Sequence, residues 1–165
     1  MSPHAQFIAC LAAAACAGVV QAAANPACEI MFYGLVADAD GETPGSEAVG
    51  DGGTAKFDSA SFEPEPTSLI PAVLGTHFGV ARKLENIPAG EAAQLVITHP
   101  PITMPDGTRV ARSVRRVAAA SYADGYRFDE PYELAPGDWV FEYLYRGERL
   151  CRHVFHVIPI EFRSQ

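Results

Sequence analysis

The chain has 165 residues, 12 Lys+Arg against 20 Asp+Glu, and a formal net charge of −8. Neutralising nucleic-acid phosphates takes a basic face, so this balance argues against a nucleic-acid binder. A hydrophobic fraction of 48 % argues against wholesale disorder, and the length suits one domain rather than two.

Residues 1–24 carry no Asp, Glu, Lys or Arg; Phe7 to Val20 is an apolar, alanine-rich run, and Ala22, Ala23 and Ala24 follow it. This is the form of a secretory signal cleaved after Ala24. The head lacks the usual basic residue, and a retained anchor or a buried helix is the alternative. The run is shorter than the roughly 20 apolar residues of a membrane span, so no transmembrane segment is expected after cleavage. Cys10 and Cys16 fall within the signal, whereas Cys28 and Cys151 stay with the mature chain. Two cysteines in an exported domain most simply form one disulfide. A reactive thiol or a metal ligand is the rival reading, and neither cysteine has a Cys or His partner at metal spacing.

From Cys28 onward the pattern is one of strands and turns. Residues 28–37 are strongly apolar and read as a buried strand. Residues 38–66 form a Gly/Pro-rich segment with eight acids against the single base Lys56, so it carries −7 of the chain's −8. It is expected as a solvating, flexible loop. Asp38, Asp40 and Glu42 alternate in it, but Gly41 stands where a calcium loop would not place it. Residues 76–84 and 93–99 alternate as strands, and Asn86 to Gly90 reads as a hairpin between them. Residues 107–120 have valines at helical spacing, yet their β-branched content favours a strand. Residues 122–128 follow, then a turn at 134–138 and a terminal hairpin of 139–145 with 149–159 around Arg146, Gly147 and Glu148. About seven short strands with regular turn signals predict an all-β, immunoglobulin-like β-sandwich over residues 25–165. A lipocalin-type barrel fits the length, but there the tryptophan usually lies on the first strand.

Trp139, Phe141, Tyr143 and Tyr145 share one face of a strand whose other face, Val140, Glu142, Leu144 and Arg146, is half polar. The asymmetry makes the aromatic face the inner one; an exposed stripe stacking on sugar rings is the alternative. His77, His99, His153 and His156 form no metal constellation: the last two are three apart and face oppositely on a strand. His77 and His99 sit on strands that can neighbour one another, but no carboxylate or thiolate completes a set. Only Met31 and Met104 remain for a copper site. There is no G-x-S-x-G elbow or phosphate-cradling loop, and Asp129 and Glu130 would face opposite ways on a strand. No catalytic, cofactor or metal residues are assigned. One charged feature stands out: Arg109, Arg112, Arg115 and Arg116 give residues 107–117 a charge of +4, as a solvated strand or as a contact for an acidic partner or anionic glycan.

Five ordered pieces carry a family resemblance: LGTHFG (74–79), IPAG (87–90), HPPITMPDG (99–107), YRFDEPYELAPGDWVFE (126–142) and GERLCRHVFHV (147–157). In them the chain resembles a bacterial domain-of-unknown-function family of small exported proteins. The resemblance implies an immunoglobulin-like sandwich and bacterial export, with no established activity, cofactor or catalytic residue. The expectation is therefore a monomeric, non-enzymatic binding or interaction module, periplasmic or secreted, whose partner is a periplasmic protein or envelope component. Glycan binding or processing through the aromatic stripe is the alternative function.

Overall fold

The computed structural model describes residues 24–36, 54–57, 65–118 and 122–160; the expected signal except Ala24, and most of the acidic segment 38–66, lie outside them. The described chain forms nine strands: β1 (Ala27–Leu35), β2 (Thr54–Phe57), β3 (Leu69–Pro71), β4 (His77–Glu85), β5 (Ala93–Thr103), β6 (Arg109–Val117), β7 (Tyr122–Arg127), β8 (Gly137–Tyr145) and β9 (Glu148–Ile158). All seven expected strands are present, but the first, expected as a buried strand, is an edge strand with only Gly34 buried and with Met31, Phe32 and Tyr33 exposed. The two additions are short. β2 lies inside the acidic segment and pairs antiparallel with β7, while β3 pairs parallel with β9. Four and three residues are too few for a period-two pattern to register in sequence.

The strands form two sheets, ordered β1-β4-β7-β2 and β3-β9-β8-β5-β6. The stretch 107–120 is a strand over Arg109–Val117, hairpinned to β5. At the β8–β9 turn Tyr145 pairs with Glu148, and Arg146 and Gly147 both take positive φ, the two-residue geometry that matches strand twist. The connection after β4 is different. Asn86 adopts φ 58°, so the chain does turn there. But β4 pairs with β1 and β7, whereas β5 pairs with β6 and β8. The expected hairpin is therefore a crossing from one sheet to the other. Turn chemistry encodes a reversal of direction; it does not encode which strand is the partner.

Alternation places the core. Phe78 and Val80 on β4, Leu95 and Ile97 on β5, Tyr126 on β7, and Phe141 and Phe155 on β8 and β9 point between the sheets and are almost completely buried. Trp139 lies among Phe78, Tyr126 and Phe128 with ring centroids 5.9, 4.7 and 5.4 Å away. Trp139, Phe141 and Tyr143 have 0 % exposure and Tyr145 has 7 %. The aromatic stripe is core, as its polar opposite face implied. A sugar platform built from it is ruled out, because stacking needs an accessible ring face.

Both open sides of the sandwich are tied between the layers. On one, Cys28 of β1 and Cys151 of β9 form a disulfide. Beside it the Tyr33 ring lies 4.1 Å from that of His153, and Ser68 Oγ is 3.2 Å from His153 Nε2. On the other, Arg115 of β6 forms an ion pair with Asp124 of β7. Covalent closure on one side is matched by ionic closure on the other.

Candidate interaction surface

Period two divides the four arginines of 107–117 between the two faces of β6. Arg115 pairs in register with Leu95, a core residue, so it faces inward. Arg112 and Arg116 pair with Thr98 and Gln94 and are exposed on the outer face, and Arg109 is exposed at the strand's start. The cluster expected as one charged patch is thus not one patch. Arg115 belongs to the interior.

There Asp124, 1 % exposed, accepts hydrogen bonds from Arg82 Nε at 3.0 Å, from Tyr143 Oη at 2.7 Å and from Arg115 Nη2. The Arg82 guanidinium also lies over the Tyr143 ring, 4.9 Å from its centroid. Burial, and then the Asp124 charge, raise the Tyr143 hydroxyl well above its ordinary pKa, so it stays a donor. A carboxylate held by two guanidiniums and a phenol, with its donors drawn from both sheets, reads as a lock between layers.

The other buried carboxylate is Glu133, which accepts from Tyr126 Oη at 2.8 Å and from the backbone N–H groups of Asp129 and Glu130 at 2.7 and 2.9 Å. It organises the turn at Pro131–Glu133 that carries the chain from one sheet to the other. Asp129 and Glu130 lie in that turn rather than on a strand, so their facing is set by Glu133 and not by a pleat. His99 stacks on Trp139 at 4.5 Å, its Nδ1 2.9 Å from the Pro100 carbonyl oxygen, and burial lowers its pKa. His77 lies in the four-stranded sheet and His99 in the five-stranded one, so they are not on neighbouring strands. His153 is half-buried on the inner side, while His156 is outside, 2.7 Å from Asp138 Oδ1. Among the described residues no group of three His, Cys, Asp or Glu could hold a metal ion. Nor is any carboxylate hydrogen-bonded to His153 among them, so Ser68–His153 is a tie between β3 and β9 without the third member of a triad.

Exposed arginines are gathered on the outer face of the five-stranded sheet. Register aligns Arg116, Gln94, Leu144 and Arg149 in one row, Val114, Val96, Glu142 and Arg152 in the next, and Arg112, Thr98, Val140 and Val154 in the third. Arg149 and Arg152 approach the same Glu142 oxygen at 3.1 and 3.9 Å. Four arginines flank a mixed centre in which Val96, Val140 and Leu144 alternate with Gln94, Thr98 and the carboxylate Glu142. Sequence reasoning found two of them; Arg149 and Arg152 are distant in sequence and reach the patch only through strand pairing. The acid partner Asp124 was also missed, since nothing in its local sequence, YADGY, marks it as buried.

Two layers with this strand arrangement define an immunoglobulin-like β-sandwich. An immunoglobulin-like protein from Pseudomonas aeruginosa matches it with a TM-score of 0.62 and 22 % identity, covering 84 % of this chain and 100 % of that one. A Pseudomonas fluorescens alkylpurine DNA glycosylase bound to DNA containing an abasic site analog matches over 64 % of this chain and 30 % of that one, at 18 % identity. Its TM-score of 0.38 is too low to carry an argument. Residues 26–157 match the family model described as a domain of unknown function, DUF3859, and the chain belongs to that family. No curated protein matches the chain. Among the described residues no helix is long and apolar enough to cross a membrane.

Proposed function

We propose that the chain is a non-enzymatic binding module, exported through its N-terminal signal to the bacterial periplasm, that holds an anionic protein or envelope component on the outer face of its five-stranded sheet. The observation that carries this reading is the grouping of Arg112, Arg116, Arg149 and Arg152 around Val114 and Leu144, with Glu142 among them and Asp138 further along the same face, engaged by His156. Guanidinium forks suit carboxylates and other oxyanions, and the stripe of Trp139, Phe141, Tyr143 and Tyr145 that would have offered a sugar platform is inside the core. The two buried carboxylates, Asp124 and Glu133, are engaged by donors within the fold, which favours a structural role for both.

In-cell crosslinking of the exported protein, run in parallel on the R112E/R116E double variant, tests the reading. Both side chains are exposed, so the variant keeps the fold. Partners recovered with the parent and lost with the variant support an anionic partner at this face. An unchanged crosslinking pattern, or none in either protein, overturns it.

A further inference from the structure

β6 is the outermost strand of the five-stranded sheet, and among the described residues it pairs only with β5. Backbone donors and acceptors on its far side are therefore directed outward, over nine residues without a proline. Its outer-face row reads Arg112, Val114, Arg116: cation, apolar, cation at period two. Val114 is 51 % exposed, and no ion pair engages Arg112 or Arg116 among the described residues. Charges on an edge strand commonly guard it against pairing. Here the guard discriminates. An antiparallel second copy of β6 would bring arginines against arginines, and like charges across a strand pair are destabilising. A strand carrying acids at the same positions is attracted instead. The inner-face arginine, Arg115, is committed to Asp124, so the specificity of the edge resides in the outer row.

Resting on the binding-module reading above, we propose that β6 is a docking edge that adds an extended segment of an acidic partner protein as a further strand. The segment alternates acid, apolar, acid on the face it shares with Arg112, Val114 and Arg116. Backbone hydrogen bonds along β6 supply affinity irrespective of sequence, and the three outer side chains read the alternation.

The test uses the purified protein and fluorescein-labelled synthetic nonapeptides at low salt, followed by fluorescence anisotropy. One peptide places Asp, Val and Asp alternately between threonines; a second has the same composition with its acids contiguous; a third is the first peptide N-methylated at alternate amides. The alternating peptide should bind at least about tenfold more tightly than either control. R112E/R116E should abolish this binding, whereas R112K/R116K should retain it within a few-fold. Hydrogen exchange of the β6 amides should slow when the alternating peptide is bound. Equal affinity for the N-methylated peptide overturns strand addition while leaving an anion-binding face intact. Failure of both the peptides and polyglutamate to bind overturns strand addition and the anionic-partner reading together. Binding that survives R112E/R116E overturns the assignment to β6.

Discussion

Arg115 of the five-stranded sheet forms an ion pair with Asp124 of the four-stranded sheet, joining the two layers on the side opposite the disulfide. Asp124 also holds Arg82, which has no exposure to solvent. Charges buried this deeply are tolerated only as a set, because each alone would bear a desolvation cost of several kcal/mol.

D124A should therefore destabilise more than R115A. Removing the carboxylate strands a fully buried guanidinium, at a cost of about 3–5 kcal/mol. Removing Arg115 leaves Arg82 and Tyr143 still on Asp124 and should cost less. Y143F, which removes a single donor to a charged group, should cost roughly 1–3 kcal/mol. Urea unfolding of the three variants gives the order; R115A as damaging as D124A would contradict the shared-carboxylate arrangement.

His99 makes stability depend on pH. Burial is the main cause of its lowered pKa, partly offset by its hydrogen bond to Pro100 and by the charge of Glu133. A histidine whose folded pKa lies below its ordinary value of 6.5 binds its proton more readily in the unfolded chain. Its contribution is therefore complete above pH 6.5 and is lost as pH falls below that value. His153, lowered by burial and then by His156, acts in the same direction. Stability should decline from pH 7 to pH 5, and H99F should flatten part of the decline. Trp139 reports locally: its emission should be blue at pH 7 and quenched as the stacked imidazole gains a proton, a change that H99F removes.

The disulfide joins residues 123 apart in sequence. Replacing both cysteines, C28S/C151S, should cost roughly 2–5 kcal/mol by freeing the unfolded chain. Guanidinium unfolding with and without reductant measures the effect in the parent. A double variant insensitive to reductant, with the midpoint of the reduced parent, is the expected result.

Gly34 sits at φ 147°, and a Cβ there would lie 1.9 Å from the Glu65 carbonyl oxygen. That close approach lets Leu35 exchange both backbone hydrogen bonds with Glu65, at 2.8 and 3.1 Å. G34A should cost roughly 1–3 kcal/mol through backbone strain alone, and more through separation of the two segments. Thermal unfolding measures the loss, and accelerated exchange of the Leu35 amide locates it.

Much of the strand content was legible because a half-buried strand must alternate, and Trp139, Phe141, Tyr143 and Tyr145 against Val140, Glu142 and Leu144 leave one choice of inner face. The four arginines of 107–117 show the limit. Their net charge was visible, but which of them faces the core depends on the register of β6 against β5, and sequence alone does not give it. Residues 86–90 show the same limit at a turn, since the reversal was readable and the change of sheet was not. Glu133 and Asp124 were missed because a buried acid is recognised by its donors: those of Asp124 come from other strands, and those of Glu133 from the fold of its own turn and Tyr126.

The sequence by itself determined the class of the protein: an all-β domain with an aromatic inner face, two cysteines able to pair, acidity concentrated in residues 38–66, and no recognisable catalytic motif. These are properties of local periodicity and composition, which any chain carries along its length. The tertiary structure decided which strands became neighbours. That pairing withdrew Arg115 into the interior, brought Arg149 and Arg152 onto the face of Arg112 and Arg116, and left β6 as an edge. The physical reason is that charge and hydrophobicity are written along the chain, whereas a surface is assembled across strands about 5 Å apart whose partners lie tens of residues away.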